Sequence, residues 1–220
     1  MLVKDFITKE IPVLKISDTV RFALSVMDDL KLRHLPLVTD GDYRCLVSEK
    51  DLLEMPDLMA AIGEPVLFAP SIKENGHLHE LIARMARYHL CLLPVVSAGG
   101  RYLGAITGDQ LIEILAGLCH AEALGSVIVL DMWPQDYVLS DIARIVEDNN
   151  AHIMNLFSTM DGENRGRLAV TIKIDLEDAT PVIRSFERFN YKVLSHFMET
   201  GIVDEVLQRR MNELLYYMNM

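Results

Sequence analysis

The sequence predicts a mixed α/β (α+β) protein in which two tandem β-α-β-β-α units precede a βαββαβ unit and a C-terminal helix. Three observations predict this fold class. The first 120 residues or so contain an internal repeat, residues 125–198 alternate between strand-like and helix-like segments, and residues 203–220 carry apolar side chains at helical spacing. A chain of 220 residues is long enough to form one large or two small cores.

The internal repeat emerges when the sequence is slid against itself. An offset of 58 residues aligns Leu35-Pro36-Leu37-Val38 with Leu93-Pro94-Val95-Val96. One additional residue near Gly99-Gly100 raises the offset to 59 for the remainder of the unit. The repeat therefore predicts two copies of one unit, at about residues 1–60 and 61–120.

Each copy is predicted to contain the same string of elements. A helix with apolar residues three and four apart covers Val20 to Leu30 in the first copy and Leu78 to Tyr88 in the second. A short strand through the proline of the aligned tetrapeptide follows the helix. After a glycine-containing turn, a second strand leads into another helix, which begins at Ser48 or at Thr107.

The second copy shows the motif at this strand-to-helix junction most fully. It carries Leu93-Pro94-Val95-Val96 before the turn and Tyr102-Leu103-Gly104-Ala105-Ile106-Thr107 after it. With the pattern G-x-h-x-G-h-h-[ST]-x-x-D, where h is an apolar residue, this order resembles the CBS domain family (cystathionine beta-synthase type). The resemblance covers about residues 1–120. It implies a pseudo-twofold pair of units and binding of adenine nucleotides, such as AMP, ADP or ATP, between the two sheets.

The resemblance also implies roles for the [ST]-x-x-D residues, a hydroxyl that binds phosphate at a helix N-terminus and a carboxylate that binds ribose. Ser48 and Asp51 keep both residue types, whereas Gln110 replaces the carboxylate that should follow Thr107. Cys45 replaces the motif glycine of the first copy and is expected to add a side chain near the cleft. The candidate ligand-binding residues are Pro36, Ser48, Asp51, Pro94 and Thr107.

A structural explanation of the same strings stays open beside the ligand-binding one. A serine or threonine followed three residues later by an acid or amide is also a helix-capping box, and both copies satisfy that rule. A cap is worth about 1 kcal/mol, enough to account for both strings without a ligand. The alternative function is therefore an oligomerisation or interaction scaffold with decayed ligand sites.

Residues 125–198 predict a βαββαβ unit. The predicted elements are a strand from Gly125 to Asp131, a helix from Leu139 to Asn149, a strand from His152 to Thr159, a polar turn from Asp161 to Gly166, a strand from Leu168 to Ile174, a helix from Ala179 to Phe189 and a strand from Tyr191 to Phe197. This order resembles an ACT or ACT-like domain, a ferredoxin-like unit. The resemblance implies edge-to-edge dimerisation and amino-acid binding at the interface.

The first turn of this unit departs from the ACT pattern D-x-x-G-x-L. Tyr137 stands at the glycine position, where the family lets its backbone approach a ligand. Asp131 and Asp136 are the candidate contacts for the amine of an amino acid. Two roles are open for Trp133, the only tryptophan: covering a ligand or a partner, and packing under the loop, which is the one we expect.

The tail at residues 203–220 predicts an amphipathic helix. Its apolar stripe comprises Val203, Val206, Leu207, Met211, Leu214, Leu215 and Met218. This stripe needs a covering surface, which is either the chain's own domains or a second subunit. Because both resembled families assemble, we expect a homodimer.

Charge and composition exclude several function classes. The chain has 12 basic and 16 acidic side chains in residues 1–120 and 9 and 16 in residues 121–220, so both halves are acidic. No nucleic-acid or anionic-membrane partner is expected. The apolar runs are too short for a membrane helix, and the N-terminus lacks the apolar region of a signal peptide, which predicts a cytoplasmic protein.

Cysteine usage and the lack of catalytic motifs complete the prediction. The three cysteines, Cys45, Cys91 and Cys119, are widely spaced in apolar surroundings and are expected to be buried free thiols. The sequence contains no nucleophile elbow, P-loop or zinc-protease motif, so we expect no enzyme and no metal site. It predicts a regulatory ligand-sensing protein with a regulated protein partner.

Overall fold

The computed structural model describes residues 1–63, 68–160 and 166–198. The chain divides into two compact units, Met1–Ile114 and a second unit from Leu115 onward.

Three sequence predictions are left untested. The amphipathic helix predicted for residues 203–220 lies outside the described residues, as do residues 161–165 of the predicted polar turn. The domain boundaries predicted near residues 60, 120 and 125 also stay predictions.

The elements as far as Leu118 follow the predicted repeat. They are, in chain order, a 3-10 helix at Val3–Phe6, α1 at Val20–Leu30, β1 at His34–Thr39, β2 at Asp42–Ser48, α2 at Glu49–Leu53, β3 at Ile72–Lys73, α3 at Leu78–Tyr88, β4 at Leu92–Val96, β5 at Tyr102–Thr107 and α4 at Gly108–Leu118.

The equivalent helices α1 and α3 begin and end at the residues that the sequence predicts. At the start of α1, the Thr19 hydroxyl accepts the backbone N–H of Phe22 at 3.2 Å. Both helices end in a left-handed residue, Lys31 in the first copy and His89 in the second. The caps and the apolar spacing together explain why these boundaries are predictable.

The two sheets of the first unit differ in their first strand. β1 and β2 form an antiparallel pair, whereas β3, β4 and β5 form a three-stranded sheet in that order. The first strand of copy one is reduced to a single parallel bridge between Leu14 and Leu37. Each copy has its own apolar core, which packs the helix against its strands.

The N-terminal segment pairs with the second copy. Thr8 and Ala105 exchange two backbone hydrogen bonds of 2.9 and 3.0 Å. This pairing explains Gly104 of the motif, whose φ is +144° and whose position leaves no room for a Cβ beside Ile7 and Thr8. Cys45, the equivalent residue of copy one, is 2% exposed in the core of that copy. Its side chain is therefore enclosed by that core, and the expectation that it lies near the nucleotide cleft stays a prediction.

The second unit has the predicted βαββαβ order. Its elements are β6 at Ser126–Met132, a 3-10 helix at Pro134–Asp136, α5 at Leu139–Glu147, β7 at Ile153–Met160, β8 at Leu168–Ile174, α6 at Thr180–Arg188 and β9 at Lys192–Phe197. The sheet order β7-β8-β6-β9 is that of a ferredoxin-like fold, with every neighbouring pair antiparallel.

Alternation along β8 places one face of this sheet in the core, as predicted. Val170, Ile172 and Ile174 are fully buried with Ile142 and Val146 of α5. The apolar helix faces therefore cover one side of the sheet.

Two of the three cysteines differ from their predicted burial. All three are free thiols, but only Cys45 is buried, whereas Cys91 is partly exposed and Cys119 is exposed. Cys119 lies just beyond the end of α4, a helix without a fully buried residue, so the apolar sequence around it does not enclose it.

Candidate functional site

Ser48 and Asp51 lie together where β2 enters α2. Ser48 is the N-cap residue in extended conformation, and its hydroxyl accepts the backbone N–H of Asp51 at 3.1 Å. The same hydroxyl donates to Asp51 Oδ2 at 2.7 Å. Ser48 is half-buried and Asp51 is exposed. One hydroxyl and one carboxylate are thus presented side by side at the surface.

Thr107 and Gln110 form a reciprocal capping box at the equivalent place in the second copy. The Gln110 backbone N–H donates to Thr107 Oγ1 at 3.2 Å, and the Thr107 backbone N–H donates to Gln110 Oε1 at 3.0 Å. The Thr107 hydroxyl lies 3.3 Å from the same amide oxygen. These groups satisfy one another, as the capping interpretation expects.

The first N–H of each of these helices is bonded in the same way. Glu49 donates to the Arg33 carbonyl at 2.9 Å, and Gly108 donates to the Cys91 carbonyl at 2.8 Å. Each junction is therefore tied to the residue that directly precedes the first strand of its hairpin. This repetition shows that the internal repeat extends to the hydrogen bonds of the candidate sites.

The two candidate prolines lie inside strands. Pro36 and Pro94 are buried, and they pair with Leu46 and Ala105 on the neighbouring strands. The Pro36 carbonyl accepts the backbone N–H of Leu14 at 2.8 Å. Each proline is therefore a buried part of the strand that precedes the turn of its copy.

Sequence reasoning missed His34. The β1–β2 register pairs it directly with Ser48, so the two side chains leave the same face of the sheet. His34 Nδ1 lies 3.2 Å from Cys91 Sγ. Burial and the neighbouring Arg33 charge lower the pKa of His34, while Asp51 opposes this change. Only the strand register could have associated this histidine with the motif.

A cleft of about 490 Å³ opens in the second unit. Its charged lining comprises three acids, Asp131, Asp136 and Asp141, and three bases, Arg144, Arg167 and Lys192. Its remaining lining residues include Tyr191 and Phe189 from the connection between α6 and β9. Asp131 and Asp136, which the sequence singled out, are therefore brought to one cleft.

Asp131, a candidate contact for an amine, is paired with two cations. Its side chain is only 3% exposed, and it accepts hydrogen bonds from Arg167 Nε at 2.5 Å and Lys192 Nζ at 2.9 Å. These bonds hold the pKa of Asp131 below its usual value, and the bond from Arg167 has the largest effect. The carboxylate therefore anchors two cations that also line the cleft.

Trp133 differs from its predicted role. Its side chain is exposed rather than packed under the loop, and the Arg167 guanidinium carbon lies 4.8 Å from the centre of its ring. The indole ring thus covers one face of the Arg167 guanidinium, which also donates to Asp131.

Two negative findings apply to the described part of the chain. No group of three or more histidine, cysteine or acidic side chains there could hold a metal ion. Among the helices of that part, none combines the length and the apolar composition needed to cross a bilayer.

Comparison with known proteins gives a family match and distant relatives. Residues 3–57 and 64–117 match the family model described as CBS domain. The uncharacterized protein MJ1225 of Methanocaldococcus jannaschii is 25% identical over 223 aligned positions, which cover 90% of this chain and 74% of the relative.

Two solved structures resemble about half of the chain. A CBS domain pair/ACT domain protein of Thermotoga maritima, TM0892, is 25% identical with a TM-score of 0.49 and matches 53% of this chain and 98% of its own. CBSX2 in complex with AMP is 23% identical with a TM-score of 0.47, over 53% of this chain and 97% of its own.

Proposed function

We propose that this chain, which belongs to the CBS domain family through residues 3–57 and 64–117, is a regulatory protein whose first copy binds an adenine nucleotide. AMP, ADP and ATP are the candidate ligands. The adjacent hydroxyl and carboxylate of Ser48 and Asp51 carry the proposal. No other [ST]-x-x-D string stands at a strand-to-helix junction of the repeat.

The two side chains suit different parts of a nucleotide. A hydroxyl at the start of a helix can donate to phosphate, and an exposed carboxylate can accept both hydroxyls of a ribose. The bond between Ser48 and Asp51 would be exchanged for these contacts when a ligand enters. Because Asp51 is exposed, this exchange requires no rearrangement of the core.

The second copy is proposed not to bind nucleotide. Gln110 offers no negative charge to a ribose, and its amide oxygen already caps the Thr107 backbone. For this copy the scaffold alternative is favoured. We therefore propose one nucleotide per chain rather than two.

Calorimetric titration of AMP, ADP and ATP into the full chain tests the proposal. We expect saturable binding of at least one of them at one molecule per chain. Two equivalent sites would contradict the proposed difference between the copies. An absence of binding by all three nucleotides would support the scaffold alternative for both copies.

A second candidate function rests on the cleft of the second unit. Its balanced set of three acids and three bases suits a small zwitterion, and its volume of about 490 Å³ fits an amino acid. We propose that Arg144 and Lys192 face the carboxylate and Asp136 the amine. A thermal-shift screen of the free amino acids tests this proposal, since a ligand at 100 times its Kd adds about 2.7 kcal/mol.

We further propose that the protein is a homodimer that passes its ligand state to a regulated partner. Leu53 of α2 and Ile112 of α4, which are equivalent in the repeat, are 64% and 66% exposed. Apolar side chains at matched positions on both copies are typical of a surface that is covered in an assembly.

A further inference from the structure

The sheet of the second unit has one face that α5 and α6 do not cover. Because side chains alternate along a strand, Val127 and Val129 of β6 point away from the core that contains Ile128. The register places Phe157 of β7 and Thr171 of β8 in one row with Val129. We refer to this side of the sheet as the open face.

The open face is apolar where a solvated sheet face would be polar. Antiparallel sheets that meet water on one side usually carry polar residues there. Here Val127 and Val129 belong to a central strand, and Phe157 is 48% exposed. Phe197 of β9, which pairs with Val127, is 64% exposed. Neighbouring apolar side chains with this exposure are typical of a surface that another element covers.

Residues 203–220 bring a matching apolar stripe close to this face. The stripe runs from Val203 to Met218, and β9 ends at Phe197, so five residues connect the two. Five residues span at most about 17 Å, and neighbouring strands lie about 5 Å apart. The stripe can therefore reach the open face of its own chain, and so short a connection gives it a high effective concentration there.

The dimensions of the open face suit one helix. The end of α4 reaches the β7 edge, where Asn155 Nδ2 donates to the Leu118 carbonyl at 2.7 Å. A covering helix would therefore lie over β8, β6 and β9, whose outer strands are about 10 Å apart, close to the diameter of a helix. β6 and β8 have seven residues each, or about 24 Å, and an 18-residue helix is about 27 Å long.

Charge complementarity supports the same placement. Lys173 lies in one row with Val127 and Phe197, where the chain leaves the sheet. Within the described part of the chain, its ammonium group has no ion-pair partner. Asp204 and Glu205 fall in the first turn of the helix that the sequence predicts, where acids are also favoured by the helix dipole. The acidic start of this segment would thus meet the basic end of the open face.

We propose that residues 203–220 form a helix that packs on the open face of the same chain, with the apolar stripe against Val127, Val129 and Phe197. The sheet of the second unit is then covered by helices on both sides. The inference is independent of nucleotide binding in the first unit. An isolated helix of this length is marginal in water, so protection of its backbone reports docking.

Hydrogen exchange of the full chain, followed by mass spectrometry, tests the proposal. We expect the amides of residues 203–220 to exchange at least about tenfold more slowly than those of an unstructured chain. Leu214→Asp puts a carboxylate into the stripe and should remove this protection. The matched control Asn212→Asp, on the opposite side of the predicted helix, should retain it. An unprotected segment in the wild-type protein would overturn the proposal.

A substitution on the open face identifies where the segment docks. Thr171→Asp places a charge at the centre of the face, and we expect it to speed exchange of residues 203–220 at least about tenfold. Ser158→Asp, an exposed position in a strand of the same sheet, is the matched control because its partner Val170 belongs to the opposite face. Unchanged protection in Thr171→Asp would show that the segment does not pack on the open face.

Light scattering distinguishes the chain's own segment from that of a second copy. If residues 203–220 pack within their own chain, Leu214→Asp loses their protection and keeps the mass of the wild-type protein. A mass that falls to half in Leu214→Asp would show that the segment crosses to a second copy, which would overturn the proposal.

Discussion

Tyr43 and Tyr102 hold the two copies together by a reciprocal pair of backbone hydrogen bonds. The N–H of Tyr43 donates to the Gly100 carbonyl at 3.2 Å, and the N–H of Tyr102 donates to the Gly41 carbonyl at 2.9 Å. These residues are related by the same 59-residue offset that aligns the two copies in the sequence. The contact therefore marks the pseudo-twofold relationship within the first unit.

Loss of the phenol hydroxyl is expected to change the free energy of unfolding differently at Tyr43 and at Tyr102. Tyr43 Oη donates to the Pro70 carbonyl at 2.9 Å, whereas Tyr102 Oη is buried without a hydrogen-bond partner in the described part of the chain. Burial raises the pKa of Tyr102 to about 12. We expect Tyr43→Phe to lower the free energy of unfolding by about 1 kcal/mol and Tyr102→Phe to leave it unchanged or raise it. Urea denaturation measures both, and equal losses would contradict the asymmetry.

We expect a single methyl group added at Gly104 to lower the stability of the protein strongly. A Cβ at this position would collide with Ile7 and the Thr8 backbone, and its φ of +144° disfavours any L side chain. We expect Gly104→Ala to destabilise the protein by more than about 2 kcal/mol. Gly117→Ala in α4, where a Cβ meets no atom within 4 Å, is the matched control and is expected to be neutral or stabilising. A similar melting temperature for both variants would refute the close approach of the N-terminal segment.

Asp131 predicts a pH-dependent contribution to stability. Its pKa is lower in the folded protein than in the unfolded chain, so its contribution is present above the unfolded value near 4 and is lost as the pH falls through the folded value. We expect Asp131→Asn to cost about 2 kcal/mol at pH 7 because it leaves the cations Arg167 and Lys192 without their partner. The difference from wild type should shrink in acid. The matched control Asp136→Asn, at an exposed position, should change stability little, and a cost independent of pH would contradict the ion-pair account.

Features set by local sequence could be predicted, whereas the burial of one side chain and the register of one strand pair could not. The boundaries of α1 and α3 follow from apolar spacing and local caps, all within one stretch of sequence. By contrast, the burial of Asp131 depends on cations 36 and 61 residues away, which local patterns do not reveal. His34 belongs to the candidate site only through the register of β1 with β2. Long-range contacts therefore account for what the sequence analysis missed.

Charged substitutions at Leu53 of α2 and Ile112 of α4, the equivalent exposed positions, test the proposed homodimer interface. We expect Leu53→Asp together with Ile112→Asp to convert the proposed homodimer to a monomer, because a carboxylate in an apolar interface costs several kcal/mol. Both side chains are exposed within the chain, so the circular dichroism should not change. Light scattering at micromolar concentration measures the mass. A wild-type monomer, or a dimer that persists in the double variant, would contradict the proposed interface.

The central claim is that the first copy binds adenine nucleotide through Ser48 and Asp51. The most direct measurement is a calorimetric titration of AMP into wild type, Asp51→Ala and the matched control Asp109→Ala, whose exposed carboxylate lies one residue before Gln110 in the second copy. We predict one site per chain, weakened by about 1.5 to 3 kcal/mol in Asp51→Ala because two bonds to a charged acceptor are lost, and unchanged in the control. Equal AMP affinity in wild type and Asp51→Ala would contradict the account.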